Sequence, residues 1–162
     1  MNKVNIIFAT ALCLLAFSSC GQNSTEVSGE SNKFEVTKTE KEWKNQLTEV
    51  EYEVLREAGT EPAFSGKYVE WKKDGVFTCK ACDNHLFSSA TKFKSGTGWP
   101  SYYDVINESA VVEKEDNKYG WNRIEVICQR CGSHLGHVFK DGPEPTGLRY
   151  CINSVCLDFE EK

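Results

Sequence analysis

Apolar positions change their spacing twice along this chain, and each change marks a different kind of segment. Val4 to Phe17 is a nearly unbroken apolar run, interrupted only by Asn5 and Thr10. It is too short to cross a bilayer core, which needs roughly 20 helical residues. From Gly21 to about Lys38 the chain is rich in Ser, Thr, Asn, Glu and Gly. Such a stretch buries too little apolar surface to offset its chain entropy and reads as a flexible tether. Helical signals follow. Thr39 with Glu42, and Thr48 with Glu51, each have the form of a capping box. They predict one helix over about Glu40 to Leu47 and another over about Glu49 to Ala58. The second places Val50, Val54 and Leu55 on one face and stops at Gly59.

Beyond Gly59 the periodicity turns to short β-prone runs. They are Tyr68–Trp71, Gly75–Thr78, Ala110–Glu115, Trp121–Cys128, His137–Lys140, Leu148–Asn153 and Cys156–Glu160. Asp74-Gly75, Asp141-Gly142, Pro143 and Pro145 supply turn chemistry between them. The expectation is a mainly antiparallel β domain with a small helical N-terminal cap.

The start of the chain changes this picture in one respect. Lys3 precedes the apolar run, and Ser18-Ser19-Cys20 follows it, the order of a secretory signal. Small residues before a Cys resemble the bacterial lipobox, in which the Cys is acylated and becomes the mature N-terminus. Phe17 stands where Leu is usual, which leaves ordinary cleavage nearby open. The chain therefore divides into a lipoprotein-type signal (1–19), a polar linker from an acylated Cys20 (20–38) and one domain (39–162). A domain of this length has room for a real core. The formal charge of −5 becomes −6 once Lys3 is lost. With no basic cluster, nucleic acid is not an expected partner. An acyl chain would hold the protein to a membrane by lipid rather than by charge.

Cys79-Lys-Ala-Cys82 and Cys128-Gln-Arg-Cys131 are two C-x-x-C pairs, each closing a β-prone run. Two such knuckles can give one metal ion tetrahedral sulfur coordination with no open position, so the metal would be structural. Two disulfides, or a redox-active C-x-x-C, remain open on pattern alone, the former because exported proteins form disulfides. His85 lies three residues beyond Cys82 and reads as a surface side chain rather than a ligand. Of the other cysteines, Cys13 lies in the signal and Cys20 at the lipobox, leaving Cys151 and Cys156. Arg149, Cys151 and Asn153 alternate, so an extended strand puts all three on one face. A guanidinium there favours the thiolate, and Asn153 could hydrogen-bond a developing anion. His134 and His137 follow the second knuckle closely and could each supply a proton near neutral pH. Read singly, each feature also has a plainer meaning: a core Cys, a surface His pair, a rigid turn at Gly96-Thr-Gly-Trp-Pro100.

In series they resemble the B-type peptide methionine sulfoxide reductases. The resemblance runs from Trp43 to Phe159. It is carried by Thr60-Glu-Pro with Phe64-Ser-Gly66, Lys94-Ser-Gly-Thr-Gly-Trp-Pro-Ser101, Cys128-x-x-Cys-Gly-Ser-His-Leu-Gly-His-Val-Phe139 and Thr146-Gly-Leu-Arg-Tyr-Cys-Ile-Asn-Ser154. It implies two antiparallel sheets, with one structural zinc on Cys79, Cys82, Cys128 and Cys131 away from the active site. It implies that Cys151 attacks the sulfoxide sulfur, giving methionine and a cysteine sulfenic acid. His134 and His137 would handle the oxygen, Trp99 would receive the substrate methyl and favour the R epimer, and Arg149 and Asn153 would surround the nucleophile. The implied substrates are oxidised proteins, with an external thiol, a thioredoxin-like donor, as reductant. Thr97 stands where many members carry a resolving Cys. Cys156, five extended residues from Cys151, is expected to be buried and inert. The expected molecule is a monomeric envelope lipoprotein facing the periplasm. The competing readings are a non-enzymatic zinc-knuckle binding module and a general thiol–disulfide exchanger.

Overall fold

Both capping boxes form. In the computed structural model, which describes residues 34–162, helix α1 is Glu40–Gln46 and helix α2 is Glu49–Glu57. In each, the Thr hydroxyl before the helix accepts from the third residue's N–H, and that residue's carboxylate accepts from the Thr N–H. Helices of seven and nine residues are too short to persist alone. What holds them is docking. Trp43 is buried, Gln46 Nε2 donates to the Ala81 carbonyl at 2.9 Å, and Arg56 donates to the Cys131 carbonyl at 3.3 Å. The helical cap thus rests on both Cys-x-x-Cys knuckles. Two details differ from expectation. Val50 is 55 % exposed, so only Tyr52, Val54 and Leu55 face inward. Ala58, not Gly59, takes the left-handed conformation (φ 56°) that ends α2.

Nine strands follow: β1 Gly75–Cys79, β2 His85–Ser88, β3 Lys92–Phe93, β4 Ser101–Tyr102, β5 Val111–Asp116, β6 Arg123–Cys128, β7 His134–Phe139, β8 Arg149–Ile152 and β9 Leu157–Glu161. They form two antiparallel sheets, in the order β2-β1-β9 and β3-β4-β8-β7-β6-β5. The mainly β fold with a helical cap is as expected. Tyr68–Trp71 is not a strand but a series of turns. Its aromatic content reflects burial: the Tyr68 ring packs edge-on against Trp71 and Phe77 at 5.2 and 5.4 Å. Strands β3 and β4, of two residues each, are too short to show a period.

The sheets interlock through aromatic side chains. Phe87 of β2 stacks on Tyr102 of β4 with ring centroids 4.3 Å apart, and Phe77 of β1 meets the same ring at 5.2 Å. Each such pair adds about 0.5–1.5 kcal/mol beyond the area it buries.

The expected signal (1–19), Cys20 and most of the expected linker lie outside the described residues. Residues 34–36, at the end of the linker, lie against the second knuckle. Val36 N–H donates to the Arg130 carbonyl at 2.9 Å, and Glu35 pairs with the Arg130 guanidinium at 3.1 Å.

Candidate active site and metal centre

The four knuckle sulfurs converge. Cys79, Cys82, Cys128 and Cys131 place their Sγ atoms within 4.8 Å of one another, with Cys79–Cys131 at 3.8 Å and Cys82–Cys128 at 3.6 Å. A tetrahedron of thiolates about 2.3 Å from a metal has edges of about 3.8 Å, whereas a disulfide needs about 2.05 Å. The donor set therefore fits one four-coordinate metal, and none of these cysteines is in a disulfide. Asn84 Nδ2 lies 3.6 Å from Cys128 Sγ and Ser133 Oγ 3.2 Å from Cys131 Sγ, the outer contacts that orient thiolate ligands. His85 takes no part. It is exposed and pairs with Glu160.

Cys151 occupies the middle of the larger sheet. On β8 it lies directly opposite Ser101 of β4 on one side and His137 of β7 on the other. His134 and His137 are three residues apart, which on a regular strand would put them on opposite faces. The β6–β7 register passes from Val126↔Gly136 to Ile127↔His134, so β7 carries one extra residue. That bulge returns both imidazoles to one side, with ring centroids 5.5 Å apart. Gly136 is required here, since a Cβ would stand 2.0 Å from the Cys151 carbonyl oxygen.

Trp99, His137, Phe139, Cys151 and Asn153 line a cleft of about 150 Å³, with Thr60, Arg123 and Gly136 completing its wall. This is well below the roughly 300 Å³ at which drug-sized sites begin, and it suits a single side chain. His134 and Arg149 are buried and form no part of that wall. His134 Nδ1 is 2.6 Å from Glu125 Oε1, while its Nε2 has no partner among the described residues. Arg149 forms a two-pronged pair with Asp141 (2.9 and 3.0 Å), and its guanidinium lies over the Phe139 ring. Asn153 is not free to meet an anion with its whole amide. Its Nδ2 donates to the Leu135 carbonyl and its Oδ1 accepts from Glu61 N–H.

Two protonation states matter. Burial pushes the Cys151 thiol up from its ordinary value. The Thr97 hydroxyl, 3.9 Å away, and the Arg149 charge oppose that shift without cancelling it. Arg149 does favour the thiolate, as expected, but desolvation outweighs it. Burial likewise pulls His137 below its usual range, against the bond to Asp116 at 2.9 Å, so the ring is neutral at pH 7. Asp116 itself is held down at about 2, chiefly by His137 and also by Arg123.

Residues 47–161 match the SelR domain family. The chain belongs to the SelR family. Among SelR relatives, a protein of Methanosarcina barkeri is 63 % identical over 125 residues, covering 77 % of this chain and 88 % of its own. One of Methanosarcina mazei is 60 % identical over 131 residues (81 % and 92 %). One of Leptospira interrogans is 48 % identical over 129 residues (80 % and 98 %). All three are named peptide methionine sulfoxide reductase MsrB.

Within this SelR domain four site residues were not legible in the sequence. Asp116 of β5 reaches His137, Glu125 of β6 reaches His134, Arg123 of β6 pairs with Asp116, and Glu61 reaches Asn153 from a loop. A charged residue on a strand or in a loop carries no local sign of such partners. Cys156 is fully buried, its Sγ 3.4 Å from the His134 carbonyl, and burial pushes its thiol well up. It is reached through a 3₁₀ turn, Ser154–Cys156, not through the extended run that the sequence suggested.

Proposed function

We propose that this SelR protein reduces methionine (R)-sulfoxide in polypeptides to methionine, with Cys151 as nucleophile. The observation that carries the reading is the pairing of Cys151 with His137 across β7 and β8, in a cleft walled by Trp99 and Phe139. The printed names of the relatives give the substrate class. A buried thiol beside a neutral imidazole holds one mobile proton, the thiol's own. In the proposed reaction Cys151 Sγ attacks the sulfoxide sulfur, and that proton passes through His137 to the sulfoxide oxygen. The S–O bond then breaks, and the hydroxide it releases attacks Cys151 Sγ as the transient Sγ–S bond breaks with its electron pair going to the thioether. Methionine and a Cys151 sulfenic acid remain, so the step balances without further reactants. His134 supports His137 from behind the wall. Arg149 draws the thiol toward its charged form as substrate arrives, and Asn153 fixes the strand end. The indole of Trp99 offers an apolar surface to the substrate methyl, which selects the R epimer.

An external thiol of thioredoxin type would attack the sulfenic sulfur, releasing water, and a second thiol would regenerate Cys151. The geometry at Thr97 and the burial of Cys156 favour this route, since neither offers an accessible second thiol. Zinc is the metal that four thiolates in tetrahedral array suit best. We also read residues 1–19 as a signal and Cys20 as an acylated anchor, making the protein a monomeric envelope lipoprotein that repairs exported proteins. Detergent phase partition of the intact chain and of Cys20→Ala checks the anchor, and only the intact chain should enter the detergent phase.

The main test uses protein lacking residues 1–20, dithiothreitol and the separate R and S epimers of a peptide-like methionine sulfoxide. Reduction of the R epimer alone, abolished by Cys151→Ser, is the expected result. Reduction of neither epimer by folded, metal-loaded protein would favour a non-enzymatic zinc-knuckle binding module.

A further inference from the structure

Two acidic side chains are buried among the described residues, Glu61 and Asp116. Asp116 has Arg123 for a partner, whereas Glu61 has no cation among the described residues and receives only N–H donors from them. A buried carboxylate without a counter-charge is costly unless several donors hold it. Its Oε1 accepts from Ser154 N–H at 2.5 Å and its Oε2 from Val155 N–H at 2.9 Å. These are the first two residues of the 3₁₀ turn that follows Asn153. The main chain of the same residue holds two members of the cleft wall. Glu61 N–H donates to Asn153 Oδ1 at 3.1 Å, and the Glu61 carbonyl accepts from Trp99 Nε1 at 3.1 Å.

The loop is built around this contact. Gly66 lies so close that a Cβ would stand 2.7 Å from Glu61 Oε1 and 2.3 Å from Ser154 Cβ. Tyr68 N–H donates to Ser154 Oγ at 2.7 Å, and Phe64 N–H to the Gly98 carbonyl at 2.8 Å. One residue therefore ties the end of the Cys151 strand to the indole on the other side of the cleft. Charge-assisted bonds of this kind are roughly twice as strong as neutral ones and fix direction as well as distance.

We propose that Glu61 is a positioning residue of the cleft. Its carboxylate, clamped on the Ser154–Val155 backbone, sets the spacing between Trp99 and Asn153 and thereby the fit of the sulfoxide side chain. The inference rests on the reductase reading for its substrate and on the hydrogen-bond geometry for everything else. Glu61 touches neither the reacting sulfur nor the proton path, so its loss should weaken substrate fit more than the thiol step.

The test compares intact metal-loaded protein with Glu61→Gln and Glu61→Asp. Both carboxylate oxygens accept N–H bonds, so the Gln amide must turn an NH₂ toward one of the two donors, while Asp keeps the charge on a shorter arm. For Glu61→Gln the expected result is a KM for the R-sulfoxide raised on the order of tenfold, with kcat and the rate of Cys151 alkylation within about twofold of the parent. Glu61→Asp should recover part of that loss. Without substrate, the Trp99 indole N–H resonance, assigned by its disappearance in Trp99→Phe, should shift in Glu61→Gln. An unchanged KM with an unshifted indole signal overturns the proposal. So does a loss shared equally by KM, kcat and alkylation rate, and so does failure of both variants to fold. The reductase reading fails separately, through the parent protein, and the indole signal reads the Glu61 linkage without turnover.

Discussion

At the residue scale the decisive quantity is the charge of Cys151. Burial raises its pKa, so at neutral pH the free enzyme holds mostly thiol, and the thiolate fraction rises with pH. Alkylation by iodoacetamide should accelerate through and above the ordinary thiol range near pH 8.5. Arg149→Ala removes a charge that lowers this pKa, so its alkylation profile should move to higher pH. A profile that stays put would separate Arg149 from the thiol. Asp116 tests the neighbouring imidazole. Its carboxylate favours the imidazolium of His137, so in Asp116→Asn that ring should titrate at lower pH than in the parent, as read by histidine NMR. Because the Asp116 pKa is depressed in the fold, the stability it contributes is complete above its ordinary value near 4. It is lost as pH falls toward about 2. Cys156→Ser, by contrast, should leave recycling by a dithiol intact, since the buried Cys156 sulfur faces the His134 carbonyl rather than the cleft. Lost recycling would assign Cys156 a resolving role.

At the element scale the site depends on departures from regular structure. A straight β7 would put His134 and His137 on opposite faces, and the extra residue in its register brings both to one side. Alternation in the sequence could not show this, because the pairing partner defines the bulge. The loop between β3 and β4 is similar. Thr97 Oγ1 stands 3.9 Å from Cys151 Sγ and 2.9 Å from Ser95 Oγ, which in turn reaches Ser101. That proximity predicts that Thr97→Cys will form a disulfide with Cys151 after one turnover, detectable as the loss of both free thiols by mass spectrometry. The arm at residues 34–36 belongs to this scale too. It covers the second knuckle through Arg130, whose Nη1 also donates to the Cys82 carbonyl at 2.8 Å. Protein beginning at residue 39 should therefore release metal to a chromogenic chelator several-fold faster than protein beginning at residue 33. Equal release rates would make the arm incidental.

At the scale of the whole molecule the knuckles join what backbone pairing leaves apart. Cys79 ends β1 of the smaller sheet, and Cys128 ends β6 of the larger one, so a metal between them rivets sheet to sheet. Its binding energy is then folding energy, and chelation should lower Tm by more than about 10 °C, each kcal/mol being worth a few degrees for a domain of this size. Phe77→Ala attacks the other junction, the aromatic cluster with Tyr102 and Phe159, at about 3–5 kcal/mol. The sequence by itself determined what local chemistry encodes: both capping boxes, most of the long strands, the cysteine quartet, and His137, Cys151 and Asn153 of the cleft, while Trp99 was implied by the family resemblance. It misplaced Val50 and the Tyr68–Trp71 segment, because apolar content reports burial without saying against what or in which conformation. Only the tertiary structure decided the protonation of Cys151, the carboxylates behind each imidazole and the place of Glu61. Those depend on desolvation and on partners far away in the chain, and neither leaves a periodic trace in the order of residues.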